Sequence, residues 1–178
     1  ESLGEAQGTN VLAEFPGGFP AGYRERFAPH SAVVDMQHLL SLSDSRPLVM
    51  SFYQPLTQGA QELHCKLYHA DTPLPLSDVL PILENLGLRV LTEHPTRIEV
   101  DGTPLYIQDF HVEALTGAID VEARAAAFTE AFARAWQGDA ENDGFNRLVL
   151  AADLDWRQIA MLRGYCKYLL QVGVPFSQ

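Results

Sequence analysis

Lysine is nearly absent from this chain: Lys66 and Lys167 are the only two in 178 residues. With a net charge of -11, that scarcity argues against nucleic acid and anionic membranes as partners, because both recruit clustered Lys and Arg. Cysteine is equally sparse. Cys65 and Cys166 are too few for a disulfide framework, and each sits in an apolar pattern, so two buried thiols in a reducing, cytoplasmic setting are expected. No apolar run approaches a membrane span, and no basic-then-apolar leader opens the sequence. There is no Gly-x-Gly-x-x-Gly after a strand, no phosphate loop ending in Gly-Lys-Ser or Gly-Lys-Thr, and no Gly-x-Ser-x-Gly elbow. No cofactor site is therefore expected within these residues, and catalysis by the chain alone is not expected.

What is present is ordinary globular material, 47% hydrophobic and 20% charged. A chain of this length can bury about 70% of its unfolded surface without a disulfide or metal. The first residue is Glu and a helical pattern runs close to the end, which suggests a piece of a longer polypeptide.

Residues 1–45 read as a lead-in, extended and rich in Gly and Pro through residue 22, then helical over 29–42 with Val33, Met36, Leu39 and Leu40 on one face. Residues 46–137 read as an α+β domain. Leu48–Tyr53 and Glu62–Tyr68 predict a hairpin, with Cys65 and Leu67 on one side of the strand and His64, Lys66 and Tyr68 on the other. A helix follows, capped by Ser77 with Asp78 in its first turn, with Pro81 near its start and Gly87 as a left-handed exit. Strand three covers Arg89–Thr92 and resumes past His94 and Pro95, through Arg97 to Val100. Asp101-Gly102 turns the chain into strand four, Leu105–Leu115. Asp120 caps a helix with Phe128, Ala131, Phe132 and Ala135 on its buried stripe. Residues 138–178 predict a helical extension: an acidic turn, a short helix over 146–152, and a last helix opened by an Asp155/Gln158 capping box and ended by Gly173 and Pro175. Its apolar positions are Ile159, Leu162, Cys166, Leu169 and Leu170.

The order strand-strand-helix-strand-strand-helix is the ferredoxin-like order with its last strand moved to the front. It predicts one antiparallel four-stranded sheet with helices on one face. The other face is apolar enough to require a cover: the N-terminal segment, the C-terminal helices or a partner.

Among candidate sites, Asp109, His111 and Glu113 share a strand face and are metal-ligand types, but this spacing arises readily by chance and a polar strand face is the expected reading. His64 and His69 lack zinc-site spacing and read as surface or rim residues. Cys65 lies in the apolar phase of a strand, a poor setting for a nucleophile. Asp139, Glu141, Asp143 and Gly144 lack the calcium-loop pattern and read as an acidic turn. One binding site has a rationale. The helix start at Ser77 and Asp78, beside loop 70–76, could take the carboxylate of an amino-acid effector, with Asp71 near its ammonium, but the expected reading is that Ser77 itself caps the helix and nothing else binds.

Several blocks carry a resemblance: Pro20-Ala21-Gly22-Tyr23-Arg24, Phe27-Ala28-Pro29, the run Leu76 to Leu88 (LSDVLPILENLGL), Tyr106-Ile107-Gln108-Asp109-Phe110, the run Asp143 to Leu150 (DGFNRLVL), and Trp156-Arg157. Together they span nearly all of the chain, which resembles a segment of the large bacterial NAD-specific glutamate dehydrogenases, N-terminal to their catalytic domain. That resemblance implies an ACT-like module in a parent that oxidatively deaminates L-glutamate to 2-oxoglutarate and ammonia with NAD as hydride acceptor. No catalytic residue transfers to this stretch. The implied partners are the remainder of the parent chain and its homo-oligomer; ACT modules often bind amino acids or pair through sheets, which makes an amino-acid effector a candidate that the resemblance alone does not settle. A free-standing amino-acid sensor pairing through its sheet, and a small metal enzyme using Asp109, His111 and Glu113, are the competing readings.

Overall fold

The computed structural model describes residues 18–55 and 63–173. The expected lead-in before residue 18, most of the hairpin loop, the first residue of the predicted second strand and the predicted terminator Pro175 lie outside them. The elements are α1 (Ala21–Arg26), α2 (Pro29–Leu40), β1 (Leu48–Tyr53), β2 (Leu63–Ala70), α3 (Leu76–Asn85), β3 (Leu88–Val100), β4 (Thr103–Ala114), α4 (Val121–Gln137), a 3-10 turn (Gly144–Arg147), α5 (Leu148–Ala152) and α6 (Trp156–Gln171).

The strands form one antiparallel sheet in the order β1-β2-β4-β3. Two hairpins, β1–β2 and β3–β4, thus join through their second strands. β2 and β3 run parallel two places apart, which a tight turn cannot achieve, so α3 serves as the crossover. As interior strands, β2 and β4 are covered on both faces: Cys65, Lys66, Leu67, Tyr68 and His69 are buried in succession. β3 is an edge strand, which explains why it runs unbroken through Pro95 where the sequence predicted an interruption. An edge residue can lack its N–H without opening the ladder. The β3–β4 turn is Asp101 (φ 50°) and Gly102 (φ 79°), both left-handed, matching the twist a two-residue hairpin requires.

The described residues fall into two compact units. The first draws on residues 18–51, Cys65–Leu74 and Thr92–Phe110; the second draws on residues 52–55, 63–64, Pro75–Leu91 and 111–173. In the first, Phe19, two residues ahead of α1, and Tyr23, Met36 and Leu39 from the N-terminal helices pack with Val49, Tyr68, Ile98 and Ile107 from the strands. The N-terminal segment therefore covers this strand surface. α1 is a short helix where extended chain was expected to run through residue 22, and Pro29 opens α2 at the position where a missing N–H costs nothing.

In the second unit, Val79, Ile82, Leu83, Leu86, Phe128, Phe132, Val149 and Ile159 are buried, and the Phe52 and Phe128 rings stack at 4.4 Å. Asp120 caps α4 by accepting from the Ala123 N–H, and Asp155 and Gln158 complete the capping box of α6. α3 departs from expectation. Its N-cap is Pro75, extended at φ -62° and ψ 131°, so Ser77 lies one residue inside the helix and is not the cap. Pro81 then falls beyond the first turn, where the ring removes the hydrogen bond to the Ser77 carbonyl. Gly87, at φ +91°, ends the α3 region, and a Cβ there would meet Arg147 Cβ and Cα at an ordinary 3.5 and 3.7 Å. Gly87→Ala should thus cost only the left-handed backbone strain, about 1–2 kcal/mol. Gly87→Asn should cost less, and urea unfolding of the two variants checks both.

Candidate functional site

In the first unit the most constrained polar site is Asp35. It sits on the buried face of α2, beside Met36 and Leu39, where an unsatisfied carboxylate would be prohibitively costly. Three donors resolve this: Lys66 Nζ reaches Oδ2 at 2.6 Å, the Tyr68 hydroxyl reaches Oδ1 at 2.8 Å, and the Tyr23 hydroxyl also donates to Oδ2. The Lys66 ammonium lies 3.9 Å from the centroid of the Phe27 ring. Asp35 and Lys66 are 2% and 1% exposed. This arrangement ties α1, α2 and β2 together. The signal in the sequence was an acid in phase with an apolar helix stripe, and a lysine inside an interior-strand pattern.

A second network holds the loop after β2. The Gln108 side-chain amide brackets Leu74, its Oε1 accepting from the Leu74 N–H at 3.1 Å and its Nε2 donating to the Leu74 carbonyl at 3.2 Å. Nε2 also donates to Glu93 Oε1 at 3.3 Å. His69 Nε2 is 3.0 Å from the same Gln108 Oε1; since that oxygen only accepts, Nε2 carries the proton. His69 was expected at the rim and is 2% exposed, because β2 is an interior strand.

Burial pushes the His69 imidazole below its ordinary range, opposed by the hydrogen bond to Gln108 and by backbone groups of Ala70 and Thr72. Burial likewise lowers His38, whose ring lies 4.7 Å from that of Tyr68 at a tilt of 33°; Asp35 raises it, while Arg46 and Lys66 lower it further. A depressed histidine contributes stability above its unfolded value, near pH 6.5, and loses it as pH falls toward the folded value. The unfolding midpoint should therefore drop as pH falls below about 6.5. His38→Asn together with His69→Gln should flatten that slope in a urea titration repeated across pH.

The effector residues proposed from sequence divide between the units. Asp71 belongs to the first, with left-handed backbone (φ 71°) and its N–H bonded to the Pro104 carbonyl at 2.9 Å. Ser77 and Asp78 belong to the second and are exposed in the first turn of α3, where Ser77 Oγ donates to Asp78 Oδ1 at 3.2 Å. Of the metal-type trio, Asp109 is buried at 1% exposure, correcting its expected place on a solvated face. His111 stacks on His64 at 5.2 Å, and Glu113 pairs with Arg89. Among the described residues no group of three metal-ligand side chains comes together. Cys65 is fully buried, and burial first, then Asp109, pushes its thiol well up, out of the nucleophilic range. Cys166, expected buried, is exposed on α6.

In the second unit Arg163 was missed by sequence reading. It is 5% exposed and in helical phase with buried Ile159. Its guanidinium forks onto Asp143 at 2.7 and 2.9 Å and reaches Asn146 Oδ1 at 3.0 Å. The acidic turn thus supplies a designed counter-charge: Asp143 also caps the 3-10 turn through the Phe145 N–H at 2.9 Å, and Asn146 Nδ2 donates to the Glu141 carbonyl at 3.0 Å.

Sheet order, crossover helix and C-terminal helices define an ACT-like α+β protein whose described polar clusters are consumed in holding its own elements together. The family described as the glutamate dehydrogenase ACT3 domain matches residues 47–124; glutamate dehydrogenase helical motifs 2 and 3 match residues 1–42 and 140–178. The chain is 64% identical over 179 residues to an NAD-specific glutamate dehydrogenase of Pseudomonas aeruginosa, covering 99% of this chain and 11% of that protein. It is 42% identical to one of Halomonas elongata over 100% of this chain, and 34% identical to one of Mycobacterium tuberculosis over 99%. This chain belongs to the NAD-specific glutamate dehydrogenase family, as a segment carrying its third ACT domain between two helical motifs. It spans about 11% of the length of each of these relatives.

Proposed function

We propose that this segment is a non-catalytic scaffolding and regulatory part of a cytoplasmic, oligomeric NAD-dependent glutamate dehydrogenase. The parent would convert L-glutamate, NAD and water to 2-oxoglutarate, ammonium and NADH, with catalytic residues and NAD site elsewhere in its chain. The observation that carries this reading is the order of three glutamate dehydrogenase segment matches along the chain, none of them to a catalytic domain. The internal commitment of Asp35, Lys66, Gln108 and Arg163 to structural hydrogen bonds supports it. An amino-acid effector would engage Asp71, Ser77 and Asp78.

The test has two arms. The purified chain should form no NADH from glutamate and NAD; glutamate-dependent NADH formation overturns the non-catalytic reading. Thermal unfolding is then followed with each of the twenty amino acids. A ligand at 100 times its dissociation constant adds about 2.7 kcal/mol, a clear rise in midpoint. A selective rise, lost in Ser77→Ala or Asp71→Ala, identifies regulation. No shift at millimolar concentrations removes the effector and leaves scaffolding. The alternative of a stand-alone amino-acid sensor has no specific observation in its favour, since the matches extend through both flanking helical motifs.

A further inference from the structure

The loop that follows β2 begins in a strained turn. The Thr72 N–H donates to the Ala70 carbonyl two residues back at 2.9 Å, and Asp71 between them has left-handed backbone, φ 71°. A three-residue turn with positive φ at its centre is rare and strained, and it persists only where neighbouring contacts hold it. β4 supplies those contacts. The Asp71 N–H donates to the Pro104 carbonyl at 2.9 Å, and the Gln108 amide holds both backbone groups of Leu74.

Gln108 also fixes the state of His69. Leu74 presents an N–H to one end of the amide and a carbonyl to the other, so the amide faces one way only. Its oxygen then meets His69 Nε2, which carries the proton of the neutral ring. The other nitrogen, Nδ1, is buried and makes no hydrogen bond among the described residues, although backbone acceptors of Ala70 and Thr72 lie close enough to favour a proton there. A second proton therefore goes to Nδ1, at the strained turn itself, and turns a buried ring into a cation. No carboxylate among the described residues is placed to neutralise it. Tyr106 of β4 stacks flat on the ring at 5.3 Å, and β1 (Leu48–Tyr53) carries no charged residue. Asp109 falls on the opposite face of β4 from its neighbour Gln108. Glu93 of β3 accepts from Gln108 Nε2, and Asp71 is exposed in the turn. Burial, Gln108 and the Ala70 and Thr72 backbone set the proton affinity of His69, and no charged side chain is among these influences. A buried, unpaired charge is relieved by reaching water. Of the groups around the ring, the exposed and strained turn is the one that can yield.

We propose that His69 and Gln108 form a proton-operated latch on the loop after β2: a proton taken up at His69 Nδ1 frees residues 70–74 from β4 while the strands stay folded. The latch goes beyond the scaffolding reading, since it works whether or not an amino acid binds.

The test is native-state hydrogen exchange of the unsubstituted chain, read amide by amide by NMR across pH and in dilute urea. At neutral pH the ring-nitrogen shifts of His69 should report the Nε2–H tautomer. Exchange at Thr72 and Leu74, corrected for intrinsic rates, should be constant above about pH 7 and rise by up to about tenfold per pH unit below about pH 6.5. Dilute urea should leave that exchange unchanged, because a local opening exposes little surface, while it accelerates the interior amides of β2. These readouts need no variant. His69→Gln should then remove the pH dependence, and Gln108→Ala should make Leu74 exchange fast at every pH. If urea accelerates Thr72 and Leu74 as steeply as the interior of β2, the turn opens only when the whole unit unfolds and the latch does not exist. An Nδ1–H neutral tautomer, exchange independent of pH in the native chain, or a pH dependence that survives His69→Gln would each overturn it as well.

Discussion

Asp35→Ala will destabilise the chain by about 3–5 kcal/mol, the cost of removing one partner from a buried ion pair. Three donors converge on this carboxylate, and all of them are held by neighbouring packing. Tyr23 stacks on Phe19 at 4.0 Å, Tyr68 is fully buried and Lys66 is 1% exposed. None can swing to water when the acceptor goes. The buried ammonium then loses its carboxylate in a low-dielectric interior, and the Tyr23 and Tyr68 hydroxyls each lose one bond to it, although Ser51 Oγ stays 3.2 Å from the Tyr68 hydroxyl. The burial of the ion pair does not make it a net stabiliser relative to an apolar core, and this supplies the control. Asp35→Leu combined with Lys66→Met should recover most of the loss, coming within about 1–2 kcal/mol of the parent sequence, because apolar replacements often match buried pairs. Urea unfolding of the two single variants and the double variant forms the cycle. If Asp35→Ala costs less than about 1 kcal/mol, the hub is not what joins α1, α2 and β2.

The sequence signals that succeeded were local ones. β1 was readable to the residue because Leu48–Tyr53 is an uninterrupted run of strand formers, and the caps at Asp120 and Asp155 follow from hydrogen bonds spanning only three residues. The permuted strand order followed from the same logic, since two hairpins and a crossover helix admit few sheets. What failed depended on distant chain. Lys66 and His69 looked like residues of an ordinary strand until α1, α2 and β4 buried them. Pro95 looked like a break until the sheet order put β3 at an edge. Ser77 has the chemistry of a cap, but Pro75 already had the extended backbone the cap position needs, and so the helix began two residues earlier. On α6 Ile159 is buried as periodicity assumes, but the other buried position is an arginine and Cys166 and Leu170, expected buried, are exposed. The candidate effector residues were chosen for chemistry at a helix start, and the fold places Asp71 in a different unit from Ser77 and Asp78.

Arg163→Met should cost about 2–3 kcal/mol and loosen the turn over residues 139–147 before the rest of the second unit. Methionine can fill much of the apolar path of the side chain, so the loss reports the guanidinium. The fork to Asp143 is bidentate and charge-assisted, and the same Asp143 Oδ1 accepts from the Phe145 N–H. The Asp143 side chain is 37% exposed and can rehydrate, which is why this effect should fall below that of Asp35. Arg163→Lys keeps the charge but not the fork, and should restore less than half of the loss. A pH signature separates this network from simple packing. The hydrogen bond from Arg163, aided by the Phe145 N–H, holds the Asp143 carboxyl below the usual carboxylate range, against a smaller upward push from burial. A carboxylate depressed in the folded state stabilises above its unfolded value and loses that contribution as pH falls through the folded one, here below about pH 4. Hydrogen exchange of the 139–147 amides in the native protein should thus accelerate as pH falls through that window, after correction for intrinsic exchange. Arg163→Met and Asp143→Asn should both remove the acceleration. If it persists unchanged in both variants, the turn is held by packing of Phe145 and Val149, and the guanidinium fork is incidental.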